Sequence, residues 1–244
     1  MLMVETRIEG ATALIRFDRS GRANALNARL MSDLAGAART ISRSANVRAV
    51  VLTGAETIFA GGVDLKDDAL WKHDADPVER LVAMNQGGEM VEAWRRVPQP
   101  VIAAIEGPAI GGGAILALTA DFRVMGKSAY MRFPEVKLGM TLGWGGLALL
   151  VERVGSVTAK RILFADERID ATSARDSNLC DKIVEDGGAV AAAVKWSEDI
   201  AALPPAAVRM TKAGIDNFCR QNWAAAFETD QFFLARRLGE TGAG

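Results

Sequence analysis

The chain has little histidine and cysteine: one histidine, His73, and two cysteines, Cys180 and Cys219, among 244 residues. Two cysteines cannot build the disulfide framework of a secreted scaffold, so we expect reduced thiols in a cytoplasmic protein. Neither cysteine belongs to a CxxC pair and one histidine cannot form a two-histidine zinc site, so we predict no metal centre. A Ser-His-Asp or Cys-His device would have to use His73. Acid–base chemistry therefore falls mainly to carboxylates, lysine, tyrosine or water.

The sequence also lacks an excess of charge of either sign. It has 29 basic and 30 acidic residues and a net charge of −1, which argues against nucleic acid as the main partner. The first ten residues have neither the basic nor the apolar segment of a signal peptide. The most apolar stretch, residues 101–120, contains Glu106, Pro108 and several glycines, so we predict no membrane span.

Phosphate-binding glycine fingerprints are absent as well. Asp121 stands where a Walker A window around residues 126–128 would need glycine, and residues 107–113 do not match GxGxxG. Kinase, nucleotide-hydrolase and nicotinamide-dependent functions therefore have no motif support, and we expect no cofactor.

Two continuous apolar runs predict strands buried on both faces, at residues 49–53 and 101–105. Each is followed by a turn, a glycine-rich loop and a helix start, and the two units lie about fifty residues apart. We interpret them as successive turns of a spiral of ββα units. The fold class is therefore α/β with a buried sheet of parallel type.

The remaining elements follow from local signals. We predict a hairpin from residues 4–8 and 13–17, a helix capped by Asn27, a helix from Pro77 to before Pro98, and a strand at 122–125. After residue 146 the pattern is mostly helical, with segments at 187–203, 206–220 and 222–238. We divide the chain into a ββα core, residues 1–190, and a helical region, residues 191–244, in which Phe227, Phe232 and Phe233 suggest subunit contacts.

The two glycine-rich turns suggest chemistry. Glycine lets a backbone N–H face outward while a ligand atom approaches closely, and one N–H from each turn can converge on a single oxygen. Such an oxyanion hole suits a carbonyl that becomes an enolate or a tetrahedral oxyanion. The alternative is that these glycines only allow tight turns and close packing.

Six sequence blocks stand in an order that resembles a known family. They are residues 24–27, 59–65, 100–107, 111–113, 120–123 and 133–139. Together they resemble the crotonase superfamily, the enoyl-CoA hydratase/isomerase enzymes, over residues 4–238. The resemblance implies an acyl-CoA thioester substrate, a ββα spiral core, and a helical C-terminal region that forms a homotrimer or a dimer of trimers.

The resemblance also implies site residues. The oxyanion donors fall on the backbone N–H groups of Val63 and Gly112, and the catalytic carboxylate falls on Glu135. Arg22 and Lys66 are suited to the CoA phosphates, with solvated surface cations as the alternative. The positions implied near CoA or substrate are Arg22, Ala25, Ala60, Gly62, Asp64, Leu65, Lys66, Gly111, Pro134 and Gly143. Asp64 is also a candidate helix N-cap.

One departure from the family pattern affects the reaction. Hydratases of the family carry a second glutamate two residues after the glycine triplet, where this chain has Ile115. A single carboxylate beside an oxyanion hole suits movement of a proton within an unsaturated thioester. The prediction is isomerisation of a 3-enoyl-CoA to a 2-enoyl-CoA by Glu135, whose pKa apolar neighbours such as Ile115 and Trp144 would raise.

Several alternatives remain open. The family also contains hydratases, decarboxylases, thioester hydrolases and dehalogenases, and a non-catalytic acyl-CoA-binding protein is possible. A hydratase would need a second acid, for which Asp67, Asp68 and the loop around His73 are candidates. Residues that could line an acyl pocket, or simply pack in the core, are Trp71, Met84, Ile115, Met140 and Trp144. His73 could reach the substrate or lie exposed in its loop.

Overall fold

The computed structural model describes residues 3–71 and 76–219. The strands are β1 Val4–Glu9, β2 Thr12–Phe17, β3 Ala49–Thr53, β4 Val101–Ile105, β5 Pro108–Ile110, β6 Phe122–Gly126, β7 Tyr130–Arg132, β8 Ile169–Asp170 and β9 Lys182–Val184. The helices are α1 Ala28–Ser42, α2 Asp68–Trp71, α3 Pro77–Arg95, α4 Gly112–Leu118, α5 Gly146–Ala165, α6 Ala171–Asp176, α7 Ala189–Ala201 and α8 Pro205–Cys219.

The main sheet has the strand order β1-β2-β3-β4-β6-β9. The first two strands form the predicted antiparallel hairpin, and every later pair in the sheet is parallel. β3 and β4 are buried along their whole length, as their apolar runs predict. Parallel strands with two covered faces require helices above and below the sheet.

Successive side chains of a strand point to opposite faces of this sheet, so the core has one part on each face. Val51 and Ile102 pack with Ala193 of α7 on one face. Val50 and Leu52 belong to the larger cluster on the other face, which contains the apolar stripe of α1. The Asn27 side chain caps α1 as predicted, because it accepts a hydrogen bond from the Leu30 N–H at 2.9 Å.

A second, smaller sheet of order β5-β7-β8 lies beside the first. Ala60 forms a parallel bridge with Ala109 in β5, and Val63 forms another with Leu26. The chain therefore repeats the order of a main-sheet strand, a short second-layer strand and a helix, as in β4–β5–α4 and β6–β7–α5. This repeat is the predicted ββα spiral.

Some local predictions were wrong. The segment after residue 146 contains the short strands β8 and β9, and β9 completes the main sheet beside β6. Asp64 does not cap a helix, because α2 begins at Asp68. The side chain of Asp67 accepts hydrogen bonds from the N–H groups of Ala69 and Ala28 instead, at 3.2 and 2.7 Å.

Two helices, α7 and α8, lie in the region predicted to be helical. The proposed boundary at residues 190/191 falls inside α7, which packs on β3 and β4. Lys212 of α8 donates a hydrogen bond to the Gln99 carbonyl at 3.1 Å and pairs with Asp121. The segment 222–238 lies outside the described residues, so the two-region division stays a prediction.

Candidate active site

The segment 59–64 runs between residues 23–26 on one side and β5 on the other. Ala60 exchanges hydrogen bonds with β5, donating to Pro108 at 3.1 Å and accepting from Ile110 at 2.9 Å. Leu26 donates to the Gly62 carbonyl at 2.7 Å and accepts from the Asp64 N–H at 2.9 Å. In a parallel bridge this pattern turns the N–H of the intervening residue away from the partner. The Val63 N–H therefore faces the side where β5 and α4 lie.

Gly62 makes this arrangement possible. Its φ of +100° is a conformation that residues with a Cβ rarely adopt. A methyl group added there would also lie 3.2 Å from the Ile110 carbonyl oxygen. The left-handed backbone breaks the regular alternation, so that Gly61 and Gly62 both bond to the 23–26 segment. The following residue, Val63, is then free to face the other way.

Gly112 begins α4 next to Val63. As the first residue of a helix, its N–H has no acceptor within the helix. A methyl group added to Gly112 would lie 3.3 Å from Cγ2 of Val63, so the two residues are neighbours. The structure thus brings together the two positions whose N–H groups are predicted oxyanion donors, and two such donors can stabilise a developing negative oxygen.

Glu135 lies against the same helix start. It follows β7 in a turn closed by the Met140 N–H, which donates to the Glu135 carbonyl at 2.8 Å. A methyl group added to Gly111 would lie 2.8 Å from Oε1 of Glu135, and the φ of +51° at Gly111 also favours glycine. The Glu135 carboxyl group therefore lies next to Gly111, the residue that precedes Gly112.

The Glu135 carboxyl is buried without full hydrogen bonding. The residue is 9% exposed, and among the described residues nothing hydrogen-bonds its Oε2. Burial raises the pKa of Glu135 from 4.5 to about 7, against a smaller lowering by a backbone hydrogen bond, and the charge of Asp166 raises it further. A carboxyl with a pKa near neutrality can both accept and donate a proton.

Ile115 fills the position of the second family glutamate with an apolar side chain. It is 2% exposed. Its Cγ1 and Cδ1 lie 2.7 and 2.9 Å from where a methyl group on Gly146 would stand, with Leu142 beside it. The side chain is therefore packed into the core between α4 and α5. Residue 115 therefore supplies no carboxylate to the site.

Trp144 covers the start of α4. Methyl groups added to Gly87 and Gly112 would lie 1.9 and 2.6 Å from its indole ring, so both glycines make room for it. The indole N–H donates to the Met84 carbonyl at 3.2 Å, which fixes the ring. Trp144 thus lies at the predicted site, and the backbone of Met84 contacts it. Met140 is half-buried in the Glu135 turn.

The other predicted pocket residue, Trp71, is anchored to the segment that carries Val63. Its indole N–H donates to the Asp64 carbonyl at 2.9 Å. The Asp64 side chain accepts from the Lys66 N–H at 3.0 Å and pairs with Arg19 at 2.7 Å. Burial works in the opposite direction, but these hydrogen bonds and the Arg19 charge keep the pKa of Asp64 lowered. Asp64 is therefore a structural carboxylate.

The predicted CoA-binding positions fall into two groups. Arg22, Leu65 and Lys66 are exposed, whereas Ala25 is half-buried. The remaining positions shape backbone around the site. Ala60 is buried against Gly113, Pro134 lies beside Gly111, and the Gly143 carbonyl accepts from the Gly146 N–H at 2.8 Å.

The alternative second acids are differently placed. Both carboxylate oxygens of Asp67 accept backbone N–H groups, as described above, and Asp68 is exposed. His73 lies outside the described residues. Within residues 3–71 and 76–219, no group of three potential metal ligands occurs and no helix is long and apolar enough to cross a membrane.

Sequence reasoning missed four charged residues of this site and one glycine. Arg19 binds Asp64, and Arg132 and Lys137 bind Asp166 close to Glu135. Each of these ion pairs joins residues more than twenty positions apart in the sequence, so no local pattern marks it. Gly87 offered a weak signal, because a Gly-Gly pair inside a predicted helix indicates close packing.

Comparisons with known proteins identify the family of the chain. The sequence profile of the Enoyl-CoA hydratase/isomerase family matches residues 7–238. The probable enoyl-CoA hydratase echA6 of Mycobacterium bovis is 35% identical over 217 residues, covering 88% of this chain and 84% of that protein. The short-chain-enoyl-CoA hydratase of Clostridium acetobutylicum is 31% identical over 227 residues, covering 92% and 85%.

Solved structures agree as well. An enoyl-CoA hydratase/isomerase from Mycobacterium paratuberculosis is similar with a TM-score of 0.88 and 27% identity, covering 97% of this chain and 93% of that one. An enoyl-CoA hydratase/isomerase from Acinetobacter baumannii, also 27% identical, gives a TM-score of 0.85 and covers 99% of each chain. The six sequence blocks, the ββα spiral and these matches agree: the chain belongs to the enoyl-CoA hydratase/isomerase family of the crotonase superfamily.

Proposed function

We propose that this enzyme isomerises a 3-enoyl-CoA to the conjugated 2-enoyl-CoA, with Glu135 as the one proton carrier. The observation that carries this proposal is the pairing of a buried, incompletely hydrogen-bonded carboxyl with an apolar residue at the second carboxylate position. Glu135 is 9% exposed and Ile115 is 2% exposed. One group that both takes and returns a proton is sufficient for a double-bond shift.

The proposed reaction moves one proton and conserves all atoms. The Glu135 carboxylate takes a proton from C2 of the 3-enoyl thioester, and the C–H electron pair forms a dienolate whose charge rests on the thioester oxygen. The N–H groups of Val63 and Gly112 stabilise that oxygen. The Glu135 carboxylic acid then returns the proton to C4, which leaves the double bond between C2 and C3.

The protonation state of Glu135 supports both half-reactions. A pKa of about 7 leaves carboxylate and carboxylic acid both populated at neutral pH. A base with an ordinary carboxyl pKa would be ionised but too weak to take a carbon-bound proton efficiently. Burial beside α4 therefore tunes the group toward the proposed task.

For substrate binding, we propose that Arg22 and Lys66 contact the CoA phosphates. Both are exposed and lie close in sequence to the segments on either side of Val63. Trp71, Met84, Met140 and Trp144 would border the acyl chain. No resident cofactor is needed, because the thioester itself supplies the CoA moiety.

Self-association is a further part of the proposal. α5 and α8 carry exposed apolar side chains at Val157, Phe164, Met210 and Phe218. Exposed apolar residues on neighbouring helices support contact between subunits, and we propose a homotrimer or a dimer of trimers in the cytoplasm. Light scattering of the purified protein measures its mass in solution, which distinguishes a monomer, a trimer and a dimer of trimers.

Hydration of a 2-enoyl-CoA is the second candidate function. The observation in its favour is that the relatives are named as hydratases. Against it stands the packed side chain of Ile115, because hydration needs one group to activate water and another to protonate C2. The two reactions are separable with two substrates in one assay format.

The experiment incubates the purified chain with 3-hexenoyl-CoA and follows the ultraviolet absorbance of the conjugated product. Crotonyl-CoA is offered in parallel, and loss of its conjugated absorbance reports hydration. We expect isomerisation to be faster than hydration and Glu135→Gln to abolish isomerisation, whereas the control Glu9→Gln, at an exposed residue, should keep this activity. Absence of conjugated product, or full activity in Glu135→Gln, would refute the proposed reaction.

A further inference from the structure

Three charged side chains meet beside the turn that carries Glu135. Asp166 follows α5 and receives two hydrogen bonds from the Arg132 guanidinium, Nε to Oδ1 at 2.9 Å and Nη2 to Oδ2 at 2.7 Å. Lys137 Nζ lies 3.2 Å from Oδ2 of the same carboxylate. A bidentate arginine–carboxylate pair fixes orientation as well as distance. We call Arg132, Lys137 and Asp166 the Asp166 clamp.

The clamp holds the chain on both sides of Glu135. Arg132 ends β7, three residues before Glu135, and Lys137 comes two residues after it. The Arg132 carbonyl also accepts the Gly111 N–H at 2.9 Å, and Gly111 lies against Oε1 of Glu135. One carboxylate therefore fastens β7, the catalytic turn and the end of α5 at a single point.

The burial of its members makes this clamp firmer than a surface ion pair. The Asp166 side chain is 7% exposed and that of Arg132 is 33% exposed, whereas Lys137 is 69% exposed. Exposed pairs contribute little because solvent screens them, so the Arg132–Asp166 pair carries most of the effect. The hydrogen bond from Arg132 lowers the pKa of Asp166. Burial acts in the opposite direction, and the hydrogen bond from Lys137 lowers the pKa further. Asp166 is thus a fixed negative charge.

We propose that Asp166 is a positioning residue for Glu135, which it holds in place through Arg132 and Lys137 while its charge acts on the carboxyl. The proposal rests on the proposed function, in which Glu135 carries the proton. Gly111 at the start of α4 and Pro134 in the same turn lie beside the Glu135 carboxyl and carry no charge. Among the described residues, Asp166 is the charged group that acts on the pKa of Glu135.

The sign of the electrostatic effect follows from the geometry. A negative charge near a carboxyl disfavours its ionisation, and the Asp166 charge raises the pKa of Glu135. Removing that charge also leaves two cations, Arg132 and Lys137, without their carboxylate. Both changes favour ionised Glu135, so its pKa falls.

The test is Asp166→Asn, measured as a pH profile of isomerisation. Asn tolerates the left-handed backbone at this position, where φ is +51°, so α5 can still end correctly. We expect kcat to fall about tenfold because the turn is loosened, KM to stay within about twofold, and the acidic limb of the profile to move to lower pH. Asp166→Glu keeps the charge and should restore the limb toward its original pH.

The matched control is Asp199→Asn, which removes an exposed ion pair with Lys195 on α7. It should leave kcat and the pH profile unchanged. A second readout needs no activity. The difference in unfolding free energy between Asp166→Asn and Asp166→Asn/Glu135→Gln, followed against pH, reports the pKa of Glu135 directly.

The outcomes separate the two proposals. Full activity of Glu135→Gln would refute the proposed function, whereas the unfolding measurement would still test the clamp. If folded Asp166→Asn has the original kcat and the pKa of Glu135 does not move, the positioning role is overturned. If kcat falls without a change in that pKa and Asp166→Glu does not rescue it, the role is only structural and the proposal also fails.

Discussion

The buried carboxyl of Glu135 should make the enzyme less stable as pH rises, and Glu135→Gln should remove that dependence. In the folded state the pKa is about 7, compared with 4.5 for an ordinary glutamate. The folded state therefore holds a proton that the unfolded state has released between these two values. Stability contributed by this proton is fully present below pH 4.5 and is lost as pH rises through 7.

The magnitude follows from the two pKa values. Each tenfold difference in proton affinity corresponds to ~1.36 kcal/mol, so ionising Glu135 in its folded site costs about 3 kcal/mol. Glutamine has nearly the same shape and never ionises. The stability of Glu135→Gln relative to wild type should therefore increase by about 3 kcal/mol between pH 4.5 and pH 8, while catalysis is lost.

The assay is urea unfolding at pH 4.5, 6 and 8 at one protein concentration, because subunit association shifts apparent stability. Glu9→Gln at the exposed end of β1 serves as the control and should differ from wild type by less than about 0.5 kcal/mol at every pH. If the difference between Glu135→Gln and wild type is the same at pH 4.5 and pH 8, the carboxyl is not held neutral by burial and the reasoning is refuted.

Three further substitutions probe the acyl pocket, the second carboxylate position and the CoA cations. Trp144→Ala should raise the ratio of kcat/KM for long-chain enoyl-CoA to kcat/KM for short-chain enoyl-CoA about tenfold, because the fixed indole borders Gly112. If this ratio is unchanged in steady-state assays, Trp144 does not line the acyl pocket. Ile115→Glu should lower the unfolding free energy by roughly 2–4 kcal/mol, since it buries a carboxyl, and should increase hydration of crotonyl-CoA; a folded variant without this gain would show that one added carboxylate is insufficient. Arg22→Gln with Lys66→Gln should raise KM about three- to tenfold with little change in kcat, and a KM that stays the same for acyl-CoA at low salt would remove both residues from the CoA site.

Local sequence patterns predicted most of the main sheet. β3 and β4 match their apolar runs residue for residue, because a strand buried on both faces must be apolar at every position. Asn27 was predictable because an N-cap uses a hydrogen bond to a residue three positions away. The short strands β7, β8 and β9 were not, since two or three residues carry no measurable periodicity and their pairing depends on neighbouring strands.

The site residues also differ in whether local sequence patterns could predict them. Glycine-rich turns and family blocks predicted Val63, Gly112 and Glu135 as site residues, because short stretches of sequence determine backbone conformation and contain the family motifs. The Asp166 clamp joins Arg132 to a residue 34 positions further along, and its existence depends on how α5 ends against β7. A sequence pattern also placed Asp64 at a helix start, whereas the fold uses its carboxylate to bind Arg19.

The placement of Glu135 suggests why one carboxyl can be sufficient in this enzyme. A reaction that removes a proton from one carbon and returns it to another needs a group of intermediate proton affinity, because a strong base would retain the proton and a weak one would not take it. Burial raises the pKa of Glu135, and the buried side chain of Ile115, which packs against Gly146, cannot ionise. A second carboxylate at residue 115 would add like-charge repulsion and would allow two groups to divide the roles, as hydration requires. The proposed reaction therefore needs no ionisable group at residue 115, where the structure has a buried isoleucine.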